Sequence, residues 1–287
     1  MGEKAWHVRG RELRLDRPLI MGILNTTPDS FSDGGRFIPP DAALEHGAAM
    51  LEEGADIIDV GGESTRPGAR PVASSEELDR VLPVIEGLVK QHPSAVLSID
   101  TVKSGVANAA LHAGAHIVND VSALRLDPAV GEVCAAAGAG IVLMHSRGSV
   151  SEMGGGTSAH AAYDDVVQEV LGELQARVGA ARYAGIASES IVLDPGVGFA
   201  KRSEQSLAVL AALPRLAELG YPILVGVSRK GFIGEITGVR EPAARLNGTL
   251  GANVAALALG ARIFRVHDVR EHRQALDVAW RLLRSGA

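Results

Sequence analysis

Residues 19–35, LIMGILNTTPDSFSDGG, decide the fold of this chain. An apolar run opens the stretch, and a polar, glycine-rich segment follows it directly. The same order recurs at residues 56–70, DIIDVGGESTRPGAR. Such runs are typical of strands buried on both faces of a parallel sheet, and the loops after them bind ligands in α/β proteins. The two stretches therefore predict an α/β enzyme with an anionic substrate.

Six more apolar runs follow, each ending in a polar residue and each succeeded by a helix-like stretch. They are VLSID (96–100), HIVND (116–120), IVLMH (141–145), IVLD (191–194), ILVGVSRK (223–230) and IFRVH (263–267). Strands that alternate with amphipathic helices indicate a parallel sheet. Eight such units in 287 residues favour a closed (β/α)8 barrel of the TIM type over an open doubly wound sheet.

Size and charge are those of a single enzyme domain. A barrel of this type takes about 250 residues, so we expect residues 1–287 to form one domain. The net charge is −6 and Lys and Arg are dispersed, so we expect no nucleic-acid or membrane partner. The first 17 residues carry eight charges, and the longest apolar stretch, residues 250–261, is too short to span a bilayer. We therefore expect a cytoplasmic protein.

Two local patterns predict smaller features. Residues 6–15, WHVRGRELRL, alternate apolar and polar side chains around Gly10, which predicts a β-hairpin. This hairpin, within residues 1–17, would cover the end of the barrel opposite the active site. Ser74 and Glu77 have the spacing of a capping box at the start of a helix.

Cationic side chains follow the last two predicted strands. Lys230 comes after the seventh, while Arg265 and His267 end the eighth. Barrels of this type frequently bind phosphate at this place, and Arg matches phosphate oxygens with paired N–H donors. Arg66 in the second loop adds another cation. This side of the barrel is predicted to hold a polyphosphate.

Acid and amide side chains end three other strands. Asp100, Asn119 and Asp194 close the third, fourth and sixth runs. A carboxylate accepts two parallel N–H donors well, so this side suits the amino-amide edge of a planar, nitrogen-rich ring. Each residue taken alone could equally be a structural polar group, but polar residues at all eight strand ends indicate a ligand site.

The sequence shows no cluster of metal ligands. It lacks a C-x-x-C motif, and its nine His residues are scattered. His145, which ends the fifth run, is interpreted as structural. A Mg²⁺ ion held mainly by pyrophosphate oxygens and water, with Asn25 as its one protein ligand, fits how weakly this ion recruits side chains.

Seven motifs together resemble the dihydropteroate synthase family of pterin-binding enzymes over nearly the whole chain. They are MGILNTTPDSFSDGG, DVGGESTRPGA, SIDT with Lys103, IVNDVS, VLDPGVGFAK, GVSRKGFIGEITG and FRVHDV. The resemblance implies a (β/α)8 barrel that joins 6-hydroxymethyl-7,8-dihydropterin diphosphate to p-aminobenzoate, releasing pyrophosphate and 7,8-dihydropteroate. It also implies a homodimer and a target of sulfonamides, which resemble p-aminobenzoate.

The resemblance assigns residues to three sites. The pterin pocket would be Asp100, Asn119, Val121, Met144, Asp194, Phe199 and Lys230. The diphosphate side would be Asn25 through Mg²⁺, with Thr65, Arg66, Arg265 and His267. The p-aminobenzoate site would be Phe31, Thr65, Pro67, Phe199 and Ser228, with the stem of Lys230.

The reaction implied by the resemblance begins with departure of pyrophosphate, and the aniline nitrogen of p-aminobenzoate then attacks. Arg265 and His267, with Mg²⁺, would carry the charge of the leaving group. Asp33 would stabilise the cation on the pterin methylene, and Lys230 completes the catalytic set. Stabilising charge, rather than moving protons, would be the main task.

The chain departs from the family pattern at a few positions. Ala123 and Leu124 stand where many members have a Gly pair, and Gly231 stands where a larger side chain is usual. Two other functions remain open on the sequence. One is a methyltetrahydrofolate-dependent corrinoid methyltransferase, which handles no diphosphate and has little use for Arg66 and Arg265. The other is a catalytically silent pterin-binding paralogue.

Overall fold

The structure is a computed structural model that describes residues 5–27, 40–65, 69–154 and 159–285. Four residues of the predicted site, Phe31, Asp33, Arg66 and Pro67, lie outside these ranges.

Ten strands lie within the described ranges. They are β1 (Ala5–Val8), β2 (Arg11–Arg14), β3 (Leu19–Asn25), β4 (Ile57–Gly61), β5 (Val96–Asp100), β6 (Ile117–Asp120), β7 (Gly140–Met144), β8 (Ile191–Asp194), β9 (Leu224–Val225) and β10 (Ile263–Val266). All eight apolar runs of the sequence form strands, β3 to β10, in the predicted order.

Eleven α-helices lie in the same part of the chain. They are α1 (Pro40–Glu52), α2 (Ser74–Gln91), α3 (Ser104–His112), α4 (Ala129–Ala137), α5 (Val150–Met153), α6 (Val166–Tyr183), α7 (Ser203–Ala211), α8 (Leu213–Ala217), α9 (Gly231–Thr237), α10 (Leu246–Ala258) and α11 (Val269–Ser285). Three short 3₁₀ helices, Ala159–Ala161, Ser188–Ser190 and Pro242–Arg245, complete the helical segments of the described residues. None of these helices has the length and apolarity needed to cross a bilayer.

The strands from β3 to β10 form one parallel sheet that closes on itself. Its order is β8-β7-β6-β5-β4-β3-β10-β9. The amide of Leu193 in β8 donates to the carbonyl of Pro222 at 3.0 Å, and Leu193 also bridges to Ile223 just before β9. This contact joins the two ends of the sheet. The predicted (β/α)8 barrel of the TIM type is therefore confirmed.

Two layers of buried side chains hold the barrel together. In β4, Ile58 and Val60 belong to the large core between the strands and the outer helices, whereas Ile57 belongs to a second cluster. Helix α2 faces the large core with a stripe at helical spacing that includes Val81, Ile85 and Leu88. The two-residue alternation of the strand and the helical spacing of α2 thus place apolar side chains of both elements in the same core.

The N-terminal hairpin packs against the barrel. Strands β1 and β2 pair antiparallel, and Arg9 (φ 49°) and Gly10 (φ 76°) between them both adopt the positive φ that a two-residue type I′ turn requires. Trp6 is fully buried in the second cluster and donates from Nε1 to the carbonyl of Ser190 at 2.9 Å. A Cβ atom at Gly140 would lie 2.4 Å from Val8 Cγ1, so only glycine lets the hairpin approach β7 this closely. The predicted hairpin is confirmed.

The predicted capping box at Ser74 and Glu77 is wrong. The residue before α2 is Ala73, and no side chain caps the helix. Glu77 is fully buried and accepts a hydrogen bond from Lys103 Nζ at 2.5 Å. The capping box would have paired the Glu77 carboxylate with the backbone at the start of α2. The carboxylate instead forms an ion pair with Lys103, 26 positions away.

The loop after β6 adopts a left-handed turn without glycine. Ala123 (φ 51°) and Leu124 (φ 64°) both lie in the left-handed region, and both are buried. The Asp120 carboxylate fixes this turn, because it accepts from the amide of Ser122 at 2.8 Å and from that of Leu124 at 2.6 Å. Glycine would adopt both φ values without strain.

We expect glycine to have little effect on stability at position 123 and a large one at position 124. Left-handed backbone costs a non-glycine residue about 1–2 kcal/mol, whereas the buried methyl group of Ala123 contributes only about 0.8 kcal/mol. Ala123→Gly should therefore change the free energy of unfolding by less than about 1 kcal/mol, since added unfolded-chain entropy offsets the relief. Leu124→Gly should cost about 2 kcal/mol or more, because the lost packing outweighs the strain. Urea denaturation would measure both, and equal losses would contradict the prediction.

Candidate active site

The carboxyl ends of four adjacent strands bring the predicted residues into one row. In the sheet register, Asn25 pairs with Gly61, and Gly61 pairs with Asp100. Asp100 in turn pairs with Asn119. Residues from separate runs of the sequence are thus neighbours at one rim of the barrel, the end at which TIM barrels carry their active sites.

An aspartate that sequence reasoning missed lies at the centre of this rim. Asp59 is fully buried, and its Oδ2 accepts hydrogen bonds from Arg265 Nε at 2.6 Å and Asn119 Nδ2 at 2.9 Å. Arg265 also donates from Nη2 to Asp100 Oδ2 at 2.7 Å. The guanidinium therefore links two acids. With its nitrogen bound to Asp59, Asn119 keeps its amide oxygen for another donor.

Burial sets the charge of this cluster. Removal from water raises the pKa of Asp100, and the neighbouring Arg265 opposes that rise. A buried carboxylate without a partner costs several kcal/mol. Arg265 is therefore the group that favours the ionised form of Asp100.

A second charged pair lies across the barrel mouth. Asp194 is buried and accepts a hydrogen bond from the amide of Gly196 at 2.7 Å. Burial raises the pKa of Asp194 to about 6, although the Gly196 amide and the Lys230 charge oppose this. Burial lowers the pKa of Lys230 to about 8, against the effect of Asp194. Both groups are charged in the window from about pH 6 to about pH 8.

One wall of the mouth is apolar. It consists of Val102, Val121, Met144 and Met153, with Val150 and Phe199 packed against them. Lys230 Nζ lies 3.8 Å from the centre of the Phe199 ring, a cation–π contact. A flat ring that entered here would meet this wall on one face and the acids and Lys230 at its edge.

His267 is a neutral hydrogen-bonding group. Its backbone N–H donates to Ser228 Oγ at 3.2 Å, and its Nδ1 lies 2.9 Å from the same oxygen. Burial, together with the charges of Arg229 and Arg265, lowers the pKa of His267 to about 3. A serine hydroxyl can donate as well as accept, and when its hydrogen goes to Nδ1 the imidazole proton lies on Nε2. In that tautomer His267 can donate to an oxygen anion.

The surroundings of Asn25 fit a magnesium ion that keeps most of its water and phosphate ligands. Within the described ranges no three His, Cys, Asp or Glu residues converge on one point. A Cβ atom at Gly61 would lie 3.4 Å from Asn25 Oδ1 and 3.5 Å from Asp100 Cβ, so the glycine leaves open space beside the amide oxygen. Mg²⁺ commonly binds proteins through only one or two oxygen ligands.

The structure gathers most of the predicted site residues that it describes. Those joined to one another by a hydrogen bond, ring contact, apolar packing or strand pairing are Asn25, Asp100, Asn119, Val121, Met144, Phe199, Ser228, Lys230, Arg265 and His267, while Asp194 is coupled to Lys230 by charge. Thr65 is half-buried at the end of a described range. Arg265 was predicted on the diphosphate side, and here it binds the acids at the rim; its contact with a diphosphate stays a prediction.

Two buried charges, Asp59 and Lys201, escaped the sequence analysis. Alternation in β4 was the available signal for Asp59, because Ile58 and Val60 on either side point to the outer helices and leave Asp59 facing inwards. Lys201 gave no such signal, since it follows a strand by seven residues and is nevertheless only 1 % exposed. His145, interpreted as structural, is buried between Lys201 and Glu173.

The fold and the rim together define a class of protein. A TIM barrel whose mouth carries paired acids, an amide, an apolar wall and a group of cations has the features of an enzyme site suited to a planar polar ring with an anionic group attached. The model of the pterin binding enzyme family matches residues 21–267. The chain therefore belongs to the pterin binding enzymes.

Known proteins agree with this assignment over almost the full length. The dihydropteroate synthase of Synechocystis sp. is 46% identical over 268 residues, which cover 92% of this chain and 91% of the relative. The Xanthomonas albilineans dihydropteroate synthase with 4-aminobenzoic acid is 47% identical, superposes with a TM-score of 0.90 and covers 99% of both chains. The Yersinia pestis enzyme, solved with a sulfonamide drug, is 42% identical with a TM-score of 0.90, over 99% of this chain and 100% of the other.

Proposed function

We propose that this protein is a transferase that catalyses dihydropteroate synthesis. It joins 6-hydroxymethyl-7,8-dihydropterin diphosphate to p-aminobenzoate and releases pyrophosphate. The observation that carries the proposal is the buried rim in which Asp59, Arg265, Asp100 and Asn119 form one hydrogen-bonded cluster opposite Asp194 and Lys230. The high identity to dihydropteroate synthases supports it.

The pterin ring would bind between the acids and the apolar wall. Asp194 has one carboxylate oxygen bound to Gly196, which leaves the other for the ring N–H groups. The Asn119 amide oxygen accepts a further N–H, and Lys230 donates to an acceptor on the ring. Val121, Met144 and Phe199 pack against the ring faces.

Charge stabilisation at the leaving group drives the reaction in this proposal. Arg265 and the Nε2–H of His267 would bind the diphosphate oxygens as charge builds on them, with Thr65 and Arg66 alongside. Asn25 would hold Mg²⁺, which would supply further positive charge there. Asp33, which lies outside the described residues, is proposed to face the pterin methylene cation before the aniline nitrogen attacks.

The p-aminobenzoate site is proposed to share residues with the pterin pocket. Phe199 and the Lys230 stem belong to both, Ser228 lies beside His267, and Phe31, Thr65 and Pro67 would complete the site. The pterin diphosphate would fix the side chains that also form the p-aminobenzoate site. We therefore expect p-aminobenzoate to bind only after the pterin diphosphate. Calorimetric titration of p-aminobenzoate should show no binding to the free protein and clear binding with pyrophosphate, Mg²⁺ and a pterin present. Tight binding to the free protein would exclude the ordered scheme.

A homodimer and a cytoplasmic location belong to the same proposal. Helix α11 exposes Val278, Leu282 and Leu283, apolar residues that a second copy could cover. Sedimentation analysis would give the oligomeric state, and fractionation of cells would give the location.

One assay tests the proposed reaction. Purified protein is mixed with pterin diphosphate, p-aminobenzoate and Mg²⁺, and both dihydropteroate and pyrophosphate are measured. Release of pyrophosphate in step with dihydropteroate is expected, and it would exclude methyl transfer to a corrinoid. Folded protein that binds pterin but forms no product would overturn the proposal.

A further inference from the structure

Lys201 is the most deeply buried cation near the active site. Its side chain is 1 % exposed, and its ammonium has three partners. Nζ donates to His145 Nδ1 at 2.8 Å, to the Gly196 carbonyl at 3.1 Å and to the Phe199 carbonyl at 3.2 Å. An ammonium group has three protons to donate, so these three bonds use all of them.

The carbonyls bound by Lys201 belong to a strained loop. Gly196 (φ 67°), Gly198 (φ 76°) and Ala200 (φ 46°) all adopt left-handed backbone within five residues. A Cβ atom at Gly196 would lie 1.8 Å from the His145 carbonyl oxygen, so the loop passes against the end of β7 without room for a side chain. Glycine adopts this backbone freely, but at Ala200, which has a Cβ atom, it persists only where surrounding contacts hold it. The Lys201 ammonium provides two of those contacts from inside the loop.

A neutral histidine connects this ammonium to a carboxylate at the surface. Burial lowers the pKa of His145 to about 4, so its Nδ1 can accept from Lys201 while Nε2–H donates to Glu173 Oε2 at 3.1 Å. Arg147 also binds Glu173, and it binds Glu169 at 2.7 Å. The charge of Lys201 is thus balanced through the imidazole by Glu173, without a carboxylate in direct contact.

We infer that Lys201, supported by His145 and Glu173, is a positioning residue that holds the 195–200 loop so that Phe199 faces the ring pocket beside Asp194. The inference rests on the proposed function, because Phe199 and Asp194 are its proposed ligand groups. Two results follow. Loss of the ammonium should displace Phe199, and it should remove a positive charge that favours ionised Asp194.

The charges around both groups support the second result. Asp194 faces Lys230, Lys201 and Arg265, and each of them lowers its pKa against burial. Lys201 faces Asp194 and Glu173, which raise its pKa, and Arg147 and Lys230, which lower it. Burial outweighs them all and brings the pKa of Lys201 to about 7.

Lys201→Met is the decisive variant, because it keeps an unbranched side chain of nearly the same length and removes the donor. Pterin without phosphate is titrated calorimetrically from pH 5 to 8, which needs no turnover, and the KM for p-aminobenzoate is measured by pyrophosphate release. We expect the pH at which pterin affinity is lost on acidification to rise by about one unit. That is the low end of the pKa shift that one nearby opposite charge causes. The KM for p-aminobenzoate should rise about tenfold, the weight of one aromatic contact. Lys90→Met, on the exposed face of α2, should change neither.

If Lys201→Met does not fold, Glu173→Gln tests the positioning role of Lys201 instead. It keeps a group that His145 can donate to but removes the balancing charge, so the KM for p-aminobenzoate should rise severalfold. Glu169→Gln is the matched control, since it removes the other carboxylate bound by Arg147 without touching His145. A folded Lys201→Met with unchanged pH dependence and KM, or equal KM values for the two Glu variants, would overturn the inference. Pterin binding without product would instead contradict the proposed reaction, and the pH titration would still test Lys201.

Discussion

Asp194→Asn is expected to weaken pterin binding by about 100-fold or more. Hydrogen bonds to a charged group contribute about 1.5–3 kcal/mol each, and the amide would present an N–H donor to the N–H groups of the ring. Asp194 is already buried and bound to the Gly196 amide, so the fold should tolerate the isosteric change. Calorimetry with pterin would measure the loss, and Asp79→Asn on the exposed face of α2 is the control. Unchanged affinity in folded protein would remove Asp194 from the pterin site.

Protonation of the Asp194 carboxylate should weaken pterin binding at low pH. Because burial raises the pKa of Asp194 to about 6, affinity should fall about tenfold per pH unit below that value as the carboxylate takes up a proton. The sign is opposite for stability. The folded state holds the proton more tightly than the unfolded state, so the contribution of Asp194 to stability is lost as pH rises through about 6. Asp194→Asn should lack both effects.

Arg265→Met is expected to have the largest effect on stability. The variant would leave Asp59 and Asp100 buried without their guanidinium partner, and breaking a buried ion pair in this way costs roughly 3–5 kcal/mol. For a chain of this size the loss corresponds to a drop in Tm of roughly 10 °C. Arg262→Met is the matched control, because Arg262 precedes the same strand and stacks on Trp280 outside the barrel. Thermal denaturation of both variants would measure the difference.

A second substitution separates charge from packing. Asp59→Asn combined with Arg265→Met removes one of the two carboxylates left without a partner, so part of the lost stability should return. Binding of pterin diphosphate should not return with it, because the proposed diphosphate donor is still missing. If the double variant were no more stable than Arg265→Met, the cost would come from packing and not from the unpaired carboxylates.

Local pattern was sufficient to place the residues that end the strands. The strand ends Asp100, Asn119 and Asp194 could be placed at the mouth because period-2 alternation and the parallel order of the runs leave no other position. Partners could not be predicted in this way. Arg265 was expected to face a phosphate, and only the closure of the sheet brings β10 close enough to β4 for it to bind Asp59, 206 residues earlier in the chain.

The sequence by itself determined the eight strands, the hairpin and the residue types at the mouth of the barrel, because each depends on a short repeat of apolar and polar side chains. The tertiary structure alone decided which charges are buried and what they bind. Glu77 pairs with Lys103 instead of capping its helix, and Lys201 lies inside the protein with His145 as its partner. The free energy of a buried charge depends on the groups around it in space, and those groups come from distant parts of the chain.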